Sequence, residues 1–383
     1  MRIAISGASG YIGQHLSSFL EGKGYDVIPL GRDLFKEDCF DELCRCVESC
    51  EVVINLAGAS INKRWTEAYK QELYDSRIYV TRQLVHAINT RRVKPELFIS
   101  ASAVGYYPAF GEYDEYHDYR GMDFLARLCG AWEEEASACS SDVRLVITRL
   151  GVVLSEDGGA LKEMLRLQRL SRVSVVVGSG QQRFPWISLF DLCRSFGYII
   201  RNRQMRGVVN LVSPDLITQK QLAHTLARAD KIRWIIPLPE FFFRLKFGEG
   251  ASFVTKGQTV HPTKLLESGF TYVYPTIEKL MNITDHHTVP ELDVKRYMGR
   301  WYEIARYENH FERGMTDVTA TYTLLPDGKI RVENEGYKGG VHKKATGRAK
   351  QPDPKNNPGK GYPGNDFRTY QQRDEGNLSV RSG

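Results

Sequence analysis

Short apolar runs alternate with helical patterns over the first part of the chain. The apolar runs are RIAIS, YDVIPLGR, EVVINLAG, PELFISASAV and RLVITRLGVVL, and amphipathic segments such as YIGQHLSSFLEGKG lie between them. Alternation of this kind is typical of βαβ units, whose strands form a parallel sheet. The pattern therefore predicts an α/β fold over residues 1–214.

The pattern changes at about Asp215, where isolated helical segments begin and continue through TKGQTVHPTKLLESGFTYVYPTIEKLM. We predict a small C-terminal cap over 215–283. Within it, IRWIIPLPEFFFRLKFG from Ile232 is interpreted as a pocket-covering helix, because charges and two prolines make it too short to span a membrane. The polar, turn-rich stretch TDHHTVP predicts a linker at 284–290.

Beyond the linker the alternation has the two-residue period of half-buried antiparallel strands. GRWYEIARY, TDVTATYTLL and KIRVENEGY follow this period, with a PDG turn between the last two. We predict a partial β segment over 291–350. Residues 351–383 are rich in Pro, Gly and Asn and predict a disordered basic tail.

Charge and cysteine usage narrow the classes of function. The net charge of +6 comes from 338–383, which holds ten basic and four acidic residues, while the rest carries 42 of each and gives no indication of nucleic-acid binding. The apolar start MRIAISGASGYIG is too short for a signal peptide, so we expect a cytoplasmic protein. Four clustered cysteines, at positions 39, 44, 46 and 50, do not match a common zinc spacing, so we expect reduced thiols and no metal.

A glycine-rich loop, SGASGYIG, carries the strongest chemical signal. Gly7, Gly10 and Gly13 follow a strand and open a helix. The first glycine permits a tight turn, the second lets backbone amides approach a pyrophosphate, and the third lets the helix pack close to the sheet. This arrangement predicts a dinucleotide site.

The end of the second predicted strand indicates which dinucleotide binds. An Asp or Glu there would bond a ribose 2′-hydroxyl, but the sequence has Leu30, Gly31 and Arg32. A guanidinium suits a 2′-phosphate, so we predict NADP(H) rather than NAD(H). The alternative is that Arg32 only solvates a loop.

These motifs resemble those of a known family. SGASGYIG, NLAG and SASAVGYY resemble the extended short-chain dehydrogenase/reductases, and INLAGASINKRW, DFLARLCGAWEEEA, RLGVVL, GSGQQRFPWI and GQTVHPTKLLESGF resemble one atypical NADP-dependent epimerase-like branch over residues 1–283. The resemblance implies a Rossmann-type, doubly wound parallel sheet with a small C-terminal cap. It also implies that NADP(H) is held by a set of nine residues: Gly7, Gly10, Tyr11, Ile12, Gly13, Arg32, Leu56, Ala57 and Gly58.

The resemblance implies a catalytic serine but not the usual acid–base pair. The serine that bonds the reacting carbonyl or hydroxyl corresponds to Ser102, while the family's tyrosine and lysine align with Phe124 and Leu128, or with Asp123 and Arg127 after a slip of one residue. Neither pair can supply a tyrosine whose pKa a lysine lowers. Tyr106 and Tyr107 are candidate substitute proton donors, or they pack over the nicotinamide.

Two further segments are candidates for substrate contact. Arg64 and Trp65 follow the strand that ends in NLAG, and Arg183 and Trp186 lie in a stretch that resembles the substrate-facing loop of extended members. The arginines suit a carboxylate or phosphate. Either pair is equally compatible with a surface charge beside a packed indole.

A second resemblance covers 289–350, where Gly299 and Trp301 are similar to the opening signature of bacterial lipocalins. In that family the tryptophan closes the floor of a barrel that holds an apolar ligand. A lipocalin needs eight strands and at most four are predicted here, so we expect no lipid ligand in this segment by itself.

Three functional hypotheses remain open from the sequence. The first is an NADP(H)-dependent oxidoreductase or epimerase acting on an unidentified small molecule. The second is a nucleotide-binding regulator without turnover, since relatives of the branch have carried the label of cell-division inhibitor. The third is a lipid-binding fusion. A homodimer is compatible with each.

Overall fold

The structure is a computed structural model that describes residues 1–282, 298–302, 315–327, 329–349 and 370–371. The chain divides into two units, Met1–Ile283 and Thr284–Gly383. The interpretation of 284–290 as a linker falls outside the described residues.

A six-stranded parallel sheet forms the centre of the first unit, with the strand order β10-β6-β4-β3-β1-β2. Its strands are β1 Arg2–Ser6, β2 Asp26–Leu30, β3 Val52–Asn55, β4 Leu97–Ala103, β6 Arg144–Leu150 and β10 Gly207–Leu211. The predicted Rossmann-type, doubly wound α/β fold is confirmed.

Helices cover both faces of this sheet because residues of the buried strands alternate between the faces. Ile3 and Ile5 of β1 pack with apolar residues of α1 and α6, whereas Ala4 packs with those of α2 and α3 on the other face. The larger helices are α1 Tyr11–Glu21, α2 Phe40–Glu48, α3 Glu67–Thr90, α4 Phe124–Ser137, α5 Gly159–Ser171, α6 Leu189–Arg201 and α7 Gln219–Ala229.

The order of the strands reverses between β1 and β3. The chain passes from β1 to β2 on one side and returns to β3 on the other side of β1. Ligands of open α/β sheets bind outside the carboxyl ends of the strands at such a point. The loops that begin at Gly7 and Leu56 therefore flank the expected binding crevice.

One predicted strand is interrupted in the structure. RLVITRLGVVL divides at Gly151 into β6 and β7 Val152–Ser155, and β7 pairs with β9 Trp186–Ser188 instead of with the central sheet. A Cβ atom at Gly151 would lie 2.9 Å from the carbonyl oxygen of Pro185. The glycine thus allows the chain to leave the sheet beside another backbone.

The prediction of one pocket-covering helix from Ile232 is wrong. The segment forms β11 Trp234–Leu238, which pairs with β8 Val173–Val177, and then α8 Glu240–Phe247. Pro237 and Pro239 explain the division, because proline lacks the amide hydrogen that a helix interior requires. The remaining strands and α-helices of this unit are β5 Glu112–Tyr113, α9 Ser252–Thr255, β12 Thr259–Val260, α10 Thr263–Glu267 and α11 Ile277–Leu280.

The described part of the second unit is an antiparallel sheet. It contains β13 Gly299–Tyr302, β14 Met315–Leu324, β15 Ile330–Lys338, β16 Val341–Ala349 and β17 Tyr370–Gln371, paired in chain order. Gly339 and Gly340 both have positive φ and form the two-residue turn between β15 and β16. The partial antiparallel segment is confirmed, and β17 adds a short strand where the sequence predicted only a polar tail; the remainder of that tail lies outside the described residues.

Trp301 does not lie in a closed barrel floor, since 49% of its surface is exposed. Within the described part of the chain, no helix is long and apolar enough to cross a membrane.

Candidate cofactor and active site

The glycine loop after β1 packs directly against the backbone after β3. Gly7 has φ +74°, and a Cβ atom on it would lie 2.8 Å from the carbonyl oxygen of Leu56 and 2.9 Å from the amide nitrogen of Ala57. A Cβ atom at Gly13 would lie 2.2 Å from the carbonyl oxygen of Gly7. Glycine is therefore required at these two positions by sterics, and the two loops form one crevice.

The N-terminus of α1 points into this crevice without a side-chain cap. Gly10 is the N-cap residue and no acidic residue lies in the first turn. The amide of Gln14 bonds to the carbonyl of Gly10, while the amides at the very start of an α-helix have no intrahelical partner. An 11-residue helix with such an end favours an anion such as a diphosphate.

Tyr11 and Ile12 occupy the first turn of α1 and are partly buried. The Tyr11 hydroxyl is buried and has no hydrogen-bond partner among the described residues. A Cβ atom at Gly158 would lie 2.2 Å from the Tyr11 ring. The loop before α5 thus reaches the same end of the sheet.

A chain of buried hydrogen bonds fixes the loop that begins at Leu56. Ser6 donates to Asn55 Oδ1 (2.6 Å), and Asn55 Nδ2 donates to Thr81 Oγ1 (2.8 Å). The Trp132 indole also donates to Thr81 Oγ1 (2.9 Å). These bonds join β1, β3, α3 and α4, so the crevice is preorganised.

Arg77, on α3, is a candidate that the sequence analysis missed. Its guanidinium donates to the carbonyl oxygens of Leu73 (3.1 Å) and Ala59 (3.0 Å) and lies over the Trp132 ring. Burial lowers the pKa of this guanidinium, and no described carboxylate pairs with it. A cation held at Gly58 with only neutral acceptors favours an anionic ligand.

Arg32 lies just beyond the end of β2, at the start of a short 3₁₀ helix. Its side chain is exposed and makes no ion pair with a described residue. Because β2 is the neighbour of β1, Arg32 lies at the same edge of the sheet as the glycine loop. Its guanidinium is available for an anion.

Ser102 belongs to a buried polar cluster at the end of β4. Its hydroxyl donates to Glu133 Oε1 (2.6 Å). Arg149 donates to the same carboxylate through Nε (2.8 Å) and Nη2 (2.7 Å), a bidentate pair whose side chains are only 3% and 10% exposed. Burial alone would lower the pKa of Arg149, but the bonds to Glu133 raise it above its usual value.

Tyr106 and Tyr107 lie on Arg149 and not at an open surface. The guanidinium carbon of Arg149 is 3.5 Å from the ring centre of Tyr106 and 4.7 Å from that of Tyr107. The Tyr106 hydroxyl donates to Asp118 (2.6 Å), and burial together with this bond raises its pKa to about 12. Both hydroxyl groups are already bonded, that of Tyr106 to Asp118 and that of Tyr107 to the carbonyl oxygen of Asp114 and to Asn210, so neither phenol proton is free.

The two positions that align with the family's tyrosine and lysine are apolar in their surroundings. Phe124 is the first residue of α4 and packs on Trp65, with ring centres 5.3 Å apart. Leu128 is one turn later and is buried with Trp65 and Tyr69. Asp123 caps α4 through its bond to the amide of Ala126, and Arg127 is exposed.

Arg64 and Trp65 contact the segment that follows β11. Arg64 Nη1 donates to the carbonyl oxygen of Leu245 (2.7 Å), and the Trp65 indole is buried and donates to Ile61. Arg64 remains exposed, whereas the Trp65 ring packs on Phe124 and on Phe253 of α9. The pair therefore consists of one exposed cation and one packed ring.

Arg183 and Trp186 differ in burial and therefore in what each can contact. Arg183 is exposed beside an open groove of about 380 Å³, which is lined by Gln181, Arg183, Thr218, Lys220, Gln221 and His224. Trp186 is fully buried in the apolar cluster between β9, α5 and α7, and its indole nitrogen has no described partner. Arg183 can meet a ligand directly, whereas Trp186 packs in the core.

Glu133 and Arg149 were also missed, although the sequence carried a signal. Arg149 interrupts the apolar run RLVITRL, and a charge inside a buried parallel strand requires a partner. The partner is Glu133 of α4, which nothing in the local sequence identifies.

Family comparisons agree with this geometry. The NAD dependent epimerase/dehydratase family matches residues 3–211, a domain of unknown function (DUF1731) matches 238–282, and a lipocalin-like domain matches 292–360. The resemblances inferred from the motifs are confirmed.

Individual proteins are similar over the first unit. The chloroplastic epimerase family protein SDR39U1 homolog of Arabidopsis thaliana is 34% identical over 297 residues, which is 73% of this chain and 85% of that protein. The crystal structure of human epimerase family protein SDR39U1 (isoform 2) with NADPH has a TM-score of 0.68 and 33% identity, covering 74% of this chain and 98% of that one. A nucleoside-diphosphate sugar epimerase from Corynebacterium glutamicum has a TM-score of 0.59 and 25% identity, covering 74% of this chain and 58% of that one.

Proposed function

The chain belongs to the NAD dependent epimerase/dehydratase family, and we propose that it is an NADP(H)-dependent oxidoreductase or epimerase-like enzyme acting on a small metabolite. The observation that carries the proposal is the crevice between Gly7 and Leu56, which an uncapped helix end and two arginines surround. When bound there, NADP(H) would supply hydride exchange at its nicotinamide ring.

The cofactor site consists of two backbone loops and two cations. Gly7, Gly10, Tyr11, Ile12 and Gly13 provide a close backbone surface and the helix end for the diphosphate. Leu56, Ala57 and Gly58 form the opposite wall.

The two arginines have separate roles in this proposal. Arg32, at the end of β2, would bind the 2′-phosphate that distinguishes NADP(H) from NAD(H). Arg77, whose charge no described carboxylate balances, would stabilise the part of the cofactor that NADP(H) and NAD(H) share. The human relative whose structure contains NADPH supports this choice of cofactor.

The acid–base chemistry would not use the usual tyrosine and lysine. The sequence contains no tyrosine that is followed by a lysine four residues later, and Phe124 and Leu128 occupy the aligned positions in an apolar cluster. Ser102 is the polar group at the end of β4 and remains the candidate catalytic residue. Tyr106 is the weaker candidate, because Asp118 holds its proton.

Arg64 and Arg183 are the proposed contacts for an anionic substrate group, since both are exposed and each donates to a backbone carbonyl oxygen of a described residue. Trp65 and Trp186 would support these contacts through packing.

One observation favours a second candidate function, a nucleotide-binding regulator without turnover. The surroundings of Phe124 contain packed rings where a proton donor would be expected. Such a protein would bind NADP(H) and turn over nothing.

Parallel titrations with NADPH and NADH, followed by nicotinamide fluorescence, test the cofactor assignment. We expect NADPH to bind more tightly than NADH, and Arg32→Ala to weaken NADPH binding selectively. Failure of both nucleotides to bind would contradict the proposal. A screen of alcohols and carbonyl compounds with the loaded protein then separates the enzyme from the regulator.

A further inference from the structure

The Glu133–Arg149 pair is a buried ion pair that the cofactor site does not require. Its carboxylate accepts two bonds from Arg149 and one from Ser102, all between 2.6 and 2.8 Å. Burying two charges costs free energy, and a purely structural position could be filled by apolar side chains. The one neighbour of Glu133 with a family role in the chemistry is Ser102.

The three residues lie at the edge of the sheet where ligands bind. Ser102 and Arg149 are register partners on adjacent parallel strands, near the carboxyl ends of β4 and β6. Glu133 reaches them from α4. The preceding strand of the sheet, β3, ends at the loop that forms the wall of the cofactor crevice.

The hydrogen bonds determine whether the Ser102 hydroxyl can donate to a ligand or accept from it. A serine hydroxyl has one proton and two acceptor lone pairs. The proton of Ser102 is directed to Glu133 Oε1 and its side chain also contacts the Cys129 thiol, so at most one lone pair remains for a ligand. Ser102 is therefore arranged to accept a hydrogen bond, which suits a substrate hydroxyl better than a carbonyl.

We propose that Ser102 and Glu133 form a proton relay that takes a proton from a substrate hydroxyl group, so that the substrate is an alcohol which the protein oxidises with NADP⁺. This inference rests on the proposed function and adds the direction of chemistry and the proton acceptor. Ser102 touches the substrate, whereas Glu133 acts through Ser102 and Arg149 positions Glu133.

The step balances in atoms and charge. The substrate carbinol carbon loses a hydride, with two electrons, to NADP⁺, and becomes a carbonyl carbon. Its hydroxyl proton passes to Ser102 Oγ as the original Ser102 proton passes to Glu133 Oε1. Glu133 becomes a neutral acid and returns its proton through Ser102 after the product leaves.

The other groups near Glu133 do not compete with it as acceptors of the substrate proton. The titratable or charged groups that face the cluster from β6, α3, α4 and the segment after β4 are Arg149, Arg77, Cys129, Tyr106 and Tyr107. Burial raises the pKa of Cys129 to about 12, and burial with the Asp118 bond raises that of Tyr106 to about 12. Both keep their protons. The arginines are already protonated, so they cannot accept the substrate proton either.

The relay is tested by comparing full-length variants with NADP⁺ and a panel of alcohols. Glu133→Gln keeps an acceptor for Ser102 but cannot take a proton, so we expect kcat to fall by about 10²–10⁴-fold with little change in NADPH affinity. Ser102→Ala, which leaves the Glu133–Arg149 pair intact, should fall similarly, and Ser102→Thr should restore turnover. The control is Glu134→Gln, an exposed neighbour on α4 that pairs with Arg120.

Two further readouts test the relay. The pH profiles of alcohol oxidation by wild type and by Glu133→Gln should differ in shape. In the ligand-free protein, the infrared carboxylate band of Glu133, identified by its absence in Glu133→Gln, should shift in Ser102→Ala. If Glu133→Gln does not fold, turnover of Ser102→Ala that equals that of Glu134→Gln still overturns the relay.

The outcomes distinguish the relay from the proposed function. Alcohol turnover in folded Glu133→Gln that equals that of Glu134→Gln, or an unshifted carboxylate band in Ser102→Ala, overturns the relay alone. Turnover of carbonyl compounds with NADPH but of no alcohol overturns the assigned direction. A wild-type protein that binds NADPH and turns over neither class overturns the proposed function and the relay together.

Discussion

A Cβ atom at Gly58 would lie 2.9 Å from the guanidinium carbon of Arg77. Because Gly58 has no side chain, the loop after β3 leaves room for a cation from the middle of α3. Because the loop also touches Gly7, the contact places a positive charge beside the proposed cofactor crevice.

Arg77→Gln should weaken NADPH and NADH binding to a similar extent, because we assign Arg77 to the part that the two nucleotides share. Loss of a charged hydrogen-bonding group costs about 1.5–3 kcal/mol, or roughly 10- to 100-fold in affinity. Fluorescence titration measures both constants. Arg82→Gln is the control, since Arg82 lies on the same helix but is exposed and paired with Glu135. A loss confined to NADPH would instead assign Arg77 to the 2′-phosphate.

Gly13→Ala should lower the free energy of unfolding by about 1–3 kcal/mol, because the added methyl group overlaps the carbonyl oxygen of Gly7. Urea denaturation measures the change. At Gly31, where φ is −68° and no atom lies within 4 Å of an added Cβ, alanine should be nearly neutral. Equal stability of the two variants would show that α1 can move away from the loop without cost.

Glu115→Gln should alter how stability depends on pH. Burial raises the pKa of Glu115 above 4.5 in the folded protein, while its carboxylate accepts from the amides of Asn210 (2.9 Å) and Lys264 (3.3 Å). The folded state then holds the proton more tightly than the unfolded chain, so this residue's contribution decreases as pH rises from 4.5 through the folded pKa.

Glutamine cannot ionise, so the variant should gain stability relative to wild type as pH increases through that range. Chemical denaturation at pH 4 to 8 measures the difference. Glu21→Gln, at an exposed position on α1, is the control. A constant difference between Glu115→Gln and wild type would contradict a raised pKa.

Trp186→Ala should destabilise the protein by about 3–5 kcal/mol, because the indole is fully buried between α5 and α7. Trp234→Ala, at a position that is 64% exposed, should change the unfolding free energy by less than about 0.5 kcal/mol. Denaturation curves of both variants test the comparison. Normal stability with impaired substrate turnover in Trp186→Ala would return this residue to direct substrate contact.

Much of the cofactor crevice was predictable because its determinants are local. Gly7, Gly10 and Gly13 follow an apolar strand at fixed spacing, and a strand–turn–helix unit places them without knowledge of distant residues. Arg32 was placed by counting to the end of the second strand. These inferences depend on short-range geometry, which the spacing of residues specifies.

The candidate chemistry was less predictable because it depends on how helices rotate against the sheet. Tyr106 was selected as a proton donor for its sequence position, but packing directs its hydroxyl to Asp118. The helix from Ile232 was predicted from apolar composition, yet pairing with β8 makes Trp234–Leu238 a strand.

The sequence by itself determined the parallel α/β architecture, the glycine loop and the change of pattern near residue 284, since periodicity and composition are properties of neighbouring residues. Only the tertiary structure decided that Arg77 reaches Gly58 and that Glu133 reaches both Ser102 and Arg149. Those contacts join residues on helices to a loop and to strands that lie elsewhere in the chain. They form because burial fixes which face of α3 and α4 meets the sheet, and a buried charge is stable only where its partner is present.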